Sequence, residues 1–213
     1  MEAIIQNIFD AVVNGDNNAI QEHINQSLES EKTAEEILNK GLIPAMAEVG
    51  KRFEAGEYFV PEMLISARAM KSGMAILKPL LVKSNVKAIG KVLIGTVKGD
   101  LHDIGKNLVS LMLEGAGFEV IDAGSDIAPE KFVELINQHH PDLVGMSALL
   151  TTTMTSMKNT IIALEQSGVR KQVKILIGGA PVTENYSKQI GADGYAEDAS
   201  KAVAVAKLLM DLP

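Results

Sequence analysis

Beyond residue 90 the sequence alternates between two hydrophobic periods. Short apolar runs rich in β-branched residues lie at Lys91–Val97, Phe118–Ile121, Leu143–Met146 and Val173–Ile177, with a weaker run at Gly194-Tyr195. Stretches of helical spacing separate them, at about 103–116, 129–139, 153–167 and 198–211. Strand and helix in alternation at this spacing specify a parallel sheet with helices on both faces. Five strands fit the order 2-1-3-4-5. That order places a ligand beyond the strand C-termini, where it reverses between strands 1 and 3.

The preceding residues follow a different pattern. Ile4, Ile5, Ile8, Phe9, Val12 and Val13 recur at helical spacing, and Gly15-Asp16 ends that helix and caps the next, which carries Ile20, Ile24 and Leu28. Thr33 followed by Glu36 opens a third helix in the manner of a capping box. Its stripe runs Ile37, Leu38, Leu42, Ile43, Met46, Val49, Phe53, with a kink expected at Pro44 and a stop at Gly56. Pro61 suits the first turn of a fourth helix carrying Met63, Leu64, Ala67, Met70, Met74 and Leu77. The pattern changes after Pro79, and a polar linker is expected from Val82 to Lys87. The expected architecture is an N-terminal four-helix bundle over residues 1–84, followed by a flavodoxin-like (Rossmann-like) α/β domain with a five-stranded parallel sheet over residues 85–213.

Composition narrows the function. Lys and Arg total 20 against 27 Asp and Glu, a net charge of −7 that disfavours nucleic acid and anionic membranes as partners. Aromatic residues make up only 4%, without Trp, so base stacking is poorly supported. The chain has no Cys, which excludes disulfides, thiolate metal sites and cysteine nucleophiles and suits a cytoplasmic protein. No apolar run approaches the ~18 residues of a membrane span, and the first residues do not read as a signal peptide.

Chemistry-bearing residues gather at the expected strand ends. Strand 1 runs into Gly99-Asp100-Leu101-His102-Asp103-Ile104-Gly105. Asp100 or Asp103 can simply cap the following helix. Alternatively, a carboxylate bound to one imidazole nitrogen fixes the tautomer and makes the other nitrogen a better metal ligand. Strand 3 ends in Ser147-Ala148-Leu149-Leu150-Thr151-Thr152-Thr153, whose hydroxyls exceed what one cap requires. Strand 4 ends in Gly178-Gly179, either a tight turn or a place where a bulky ligand approaches the backbone. There is no phosphate-loop motif and no G-x-G-x-x-G after strand 1, so a nicotinamide cofactor is disfavoured. His23 and His139-His140 read as surface helix residues.

Three of these segments together, Asp100–Gly105, Ser147-Ala148-Leu149 and Gly178-Gly179, resemble the D-x-H-x-x-G, S-x-L and G-G signature of cobalamin-binding domains. The helical half, including Arg52–Pro61 and Ser66-Ala67-Arg68, resembles the cap domain of cobalamin-dependent methionine synthase. The resemblance covers nearly the whole chain and is closest to the stand-alone corrinoid proteins of methyltransferase systems. It implies cobalamin bound base-off, with His102 as the lower cobalt ligand and Asp100 on its other nitrogen. Thr153 stands where methionine synthase has the serine that completes the triad. Asp103, Ile104, Gly105, Ser147, Leu149 and Thr151 would lie along the corrin and its displaced nucleotide tail. Gly178 and Gly179 would let that tail pass. Phe53 and Val60 would cover the upper face, Val60 standing where methionine synthase has leucine.

The family's role implies a methyl carrier rather than a complete enzyme. One partner, a substrate:corrinoid methyltransferase, would load the methyl group from methanol, a methylamine, a betaine or a methoxylated aromatic. A second would remove it to a folate or a thiol coenzyme, and a reductive activator would rescue cobalt(II). A linker after Leu81 would let the cap move. The alternative is a cobalamin-dependent sensor or regulator, which can share both domains. A mutase subunit, or a flavodoxin-like module without corrin, ranks behind these.

Overall fold

The computed structural model describes residues 2–212. The chain divides into two compact units, one holding the chain up to Ala88 with Gly115–Gly117, the other Ile89–Glu114 and the chain from Phe118 on.

The first unit is helical. Helix α1 (Ala3–Val13) buries Ile5, Ile8, Val12 and Val13. Asp16 caps α2 (Asn17–Glu29), its Oδ1 accepting from the N–H groups of Asn18 and Ala19 at 3.1 and 2.9 Å. Thr33 Oγ1 accepts from the Glu36 N–H at the start of α3 (Ala34–Ile37). The single kinked helix expected here is interrupted by a π-helical segment, Leu38–Leu42, before α4 (Ile43–Glu54). The reason is Pro44, which has no N–H for the Lys40 carbonyl; the ladder widens ahead of it, and the Ile43 N–H reaches back five residues to Leu38. Gly56 ends α4 as expected, at φ +72°, with the Glu57 N–H closing on the Arg52 carbonyl at 2.8 Å.

Helix α5 (Val60–Lys83) departs from expectation twice. It runs through Pro79 to Lys83, so Val82 and Lys83 are helix, and the connection between units is residues 84–90. Proline this near a helix end removes one hydrogen bond, while buried Leu77 and Leu81 hold the last turns. Its buried stripe is Met63, Ser66, Ala67, Met70, Gly73, Leu77, Leu81, which leaves Leu64 exposed and Met74 half-buried.

The second unit is a five-stranded parallel sheet in the order β2-β1-β3-β4-β5, as expected. The strands are β1 (Lys91–Val97), β2 (Glu119–Ile127), β3 (Leu143–Ser147), β4 (Lys174–Gly178) and β5 (Gly194–Ala196). Central β1 is buried from Val92 to Val97, which explains why its run is apolar apart from Thr96. Helices α6 (Ile104–Gly115), α7 (Pro129–His139), α8 (Met154–Gln166) and α10 (Ala199–Leu209) occupy the expected stretches. Two features lacked a periodic signal. Helix α9 (Glu184–Ile190) is too short for one and announces itself only through its caps, Thr183 Oγ1 on the Tyr186 N–H and Gly191 at φ +79°. Edge strand β2 extends six residues beyond Ile121, through two register shifts against β1. Leu93, Val97, Phe132, Val144, Met146, Met157, Ile161, Ile175 and Ile177 belong to the core beneath the sheet's reversal point.

Candidate functional site

The loop after β1 and the loop after β3 meet at a single carboxylate. Asp100 is 1% exposed. Its Oδ1 accepts from His102 Nδ1 at 2.7 Å and from the His102 backbone N–H at 3.1 Å. Its Oδ2 accepts from the N–H groups of Leu149 and Leu150, at 2.8 and 3.2 Å, and from Thr153 Oγ1 at 2.7 Å. Burial alone would raise its pKa, but the bonds from Thr153, His102 and Leu149 outweigh it and hold the carboxyl well below the usual carboxylate range. Asp100 is therefore an anion in the folded protein, and its bond to His102 requires the proton on Nδ1. In the neutral ring this leaves the lone pair on Nε2.

Thr153 Oγ1 is also 2.8 Å from the Leu150 carbonyl. One hydroxyl proton serves one of the two, and the anion is the stronger acceptor. The Leu150 carbonyl keeps the Thr153 N–H at 3.1 Å. Of the strand-3 hydroxyls, only Thr153 joins this cluster. Ser147 lies half-buried at the end of β3, paired in register with Thr96 and Gly178, and Thr151 is exposed.

The two loops that meet at Asp100 expose the imidazole and several apolar side chains. His102 keeps 52% of its side chain exposed. Leu101 and Ile104 are 75% and 79% exposed, and Leu149 and Leu150 are also exposed. A Cβ on Gly105 would meet nothing within 4 Å, so glycine leaves the surface beside them low. The Asp103 carbonyl accepts from the Asn107 N–H in the first turn of α6. Of the two readings of this triplet, Asp100 as a helix cap gives way to Asp100 as the partner of His102. Among the described residues no group of three or more His, Asp or Glu side chains could hold a metal ion. One imidazole set in apolar surface suits a metal whose other positions a macrocycle fills.

The two glycines at the end of β4 answer first to the protein itself. A Cβ on Gly178 would come 2.9 Å from the Ala196 carbonyl oxygen, and one on Gly179, at φ +132°, 1.9 Å from the Ala148 carbonyl oxygen. The close approach they permit here is between neighbouring strand ends. In the helical unit, Phe53 is half-buried rather than part of the core, and Val60 is exposed beside exposed Phe59. The hydroxyls of Tyr58 and Ser66 both donate to the Val13 carbonyl, at 3.1 and 3.0 Å, so part of the cap-like motif serves to close α1. Thr96 was missed by sequence reasoning; its Oγ1 donates to the His102 carbonyl at 3.0 Å. A buried threonine in an apolar strand was the available signal.

Two models of the B12 binding domain match the chain, over residues 90–204 and residues 4–78. The dimethylamine corrinoid protein of Methanosarcina barkeri is 41% identical over 210 residues, covering 98% of each chain. The trimethylamine corrinoid protein of the same organism is 41% identical over 213 residues, covering 99% of this chain and 98% of its own. In three dimensions, the methanol:cobalamin methyltransferase complex of Methanosarcina barkeri matches with a TM-score of 0.89 at 27% identity, over 99% of this chain and 80% of the matched one. Matched over both units and across almost its full length, the chain belongs to the B12-binding family and has the dimethylamine and trimethylamine corrinoid proteins among its relatives.

Proposed function

We propose that this protein is a methyl carrier that holds cobalamin base-off, with His102 Nε2 as the lower cobalt ligand. The observation that carries the reading is the imidazole whose Nδ1 is tethered to an ionised, buried Asp100, on loops that expose apolar side chains. The residues fit the cofactor. Leu101, Ile104, Leu149 and Leu150 offer apolar contact, and Gly105 leaves room for a broad ring. Bound there, the corrin's cobalt would supply the methyl-transfer chemistry.

The chain's own residues would orient and tune. Asp100 fixes the Nδ1–H tautomer and so keeps Nε2 available as a donor. Thr153 and the Leu149 and Leu150 N–H groups keep Asp100 charged. Ser147, Thr151, Gly178 and Gly179 at the strand ends are proposed to border the nucleotide tail, and Asp103 the corrin edge. Phe53 and Val60 of the helical unit are proposed as cover for the reactive face.

The named relatives serve dimethylamine and trimethylamine, so a methylamine is the proposed methyl donor, delivered by a substrate:corrinoid methyltransferase. A folate or thiol methyltransferase as acceptor, and a reductive activator, complete the proposed set of partners. No helix among the described residues is long and apolar enough to cross a membrane.

The test is reconstitution with cobalamin. Wild type is expected to retain one corrinoid per chain, with nitrogen superhyperfine splitting in its cobalt(II) EPR signal. His102→Ala should retain corrinoid but show a base-off spectrum without that splitting. An unchanged nitrogen-coupled signal in the variant would assign the ligand to another group.

A further inference from the structure

The segment that carries Asp100 and His102 is gripped at both ends by one irregular strand. From Ile94 to Val97, β1 advances three residues while its partner β2 advances five, from Asp122 to Ile127. The two extra residues fall where β2 carries its two late aspartates. Gly124 takes φ +91° and Asp126, a non-glycine residue, takes φ +58°. Bulges and left-handed residues of this kind re-aim side chains, and they cost free energy that the surrounding contacts must offset.

The contacts they make are specific. Asp126 Oδ1 accepts from the Gly99 N–H at 2.8 Å, and the Asp126 N–H donates to the Asp100 carbonyl at 3.0 Å. These two bonds hold the peptide that leads into Asp100. At the far end of the segment, Lys106 donates to both oxygens of Asp122, at 2.6 and 2.5 Å, and to Asn107 Oδ1 at 2.7 Å. The Lys106 side chain is 1% exposed, so the ammonium depends on these partners. Asp122 Oδ1 also accepts from the Gly124 N–H at 2.8 Å, which ties the grip to the bulge itself.

We infer that the bulged end of β2 is a two-point clamp, in which Asp126 and the Lys106–Asp122 pair are positioning residues for the loop presenting the His102 imidazole. Neither touches the imidazole. Asp126 fixes where Asp100 begins, Lys106 fixes where α6 begins, and His102 lies between them. The clamp rests on the reading of His102 as a lower ligand only in its second consequence. Its first, a rigid loop, holds in the protein without cofactor.

The test compares full-length wild type, Asp126→Ala, Asp126→Asn and Lys106→Met, with Lys98→Met as control. The Lys98 ammonium pairs with Asp126 Oδ2 at 3.2 Å on the surface, and its loss leaves both backbone bonds in place. In apo-protein, Asp126→Ala should accelerate amide hydrogen exchange over residues 99–103 by about tenfold, as expected for losing a bond from a backbone N–H to a charged acceptor. With bound cob(II)alamin, the same variant should keep the corrinoid while its nitrogen-coupled EPR signal gives way to a base-off signal. Asp126→Asn retains an acceptor for the Gly99 N–H and should restore both readouts, and Lys98→Met should match wild type. Lys106→Met should shift both in the same direction as Asp126→Ala. If it does not fold, the Asp126 variants decide alone. Unchanged exchange in folded Asp126→Ala overturns the clamp. Faster exchange with an unchanged EPR signal overturns its link to the imidazole. If wild type itself retains no corrinoid, the lower-ligand reading fails, while the exchange measurement still judges the clamp.

Discussion

Asp100 is the residue on which the site turns, because two loops distant in sequence satisfy the same carboxylate. Its folded pKa lies below the ordinary value of 3.8, since the hydrogen bonds overcome burial. Ionisation therefore favours the folded state. That contribution is complete above the ordinary carboxylate range and is lost as pH falls below 3.8. Asp100→Asn keeps the volume and an acceptor but loses the charge. The apo variant should be less stable than wild type at pH 7, and the gap should begin to narrow as pH falls below 3.8. Denaturant melts of both proteins from neutral pH to pH 3 would show it, and a gap independent of pH would mean that the charge contributes nothing to folding.

At the scale of elements, proline placement separates what pattern predicts from what a helix tolerates. Pro61 sits in a first turn, where a missing N–H is harmless, while Pro44, preceded by helix, widens the ladder into the π-helical segment. Pro79 sits inside α5, exposed, with helix on both sides. Its substitution by alanine should restore the bond to the Ala75 carbonyl. Proline costs about 3 kcal/mol in a helix interior, and its stiffening of the unfolded chain returns less than about 1 kcal/mol. Pro79→Ala is therefore expected to stabilise the helical unit by about 1–2 kcal/mol near this helix end. A calorimetric melt would read this as a rise in Tm, and a fall would place the end of α5 before Pro79.

At the scale of the whole molecule, two compact units are joined by residues 84–90, a stretch without regular structure in which Lys87 is exposed. Limited trypsin treatment should therefore cut first after Lys87, giving a helical fragment and an α/β fragment; first cleavage within either unit would contradict this division. The sequence by itself determined the strand order and the positions of most helices. Burial on both faces forces continuous apolar strands, and one buried face forces a helical stripe, so these features are written locally. It also placed Asp100, His102 and Thr153 at strand ends that meet where the sheet order reverses. Only the tertiary structure decided what those residues do to one another. That Thr153 alone among its hydroxyls reaches Asp100, that Gly178 and Gly179 answer to neighbouring carbonyls, and that Asp122 and Asp126 reach the His102 loop are consequences of contacts between segments far apart in the chain. Such contacts have no local period. They arise when packing brings strand ends within hydrogen-bond distance, and a bulge of two residues in β2 suffices to move two carboxylates onto the loop that carries the site.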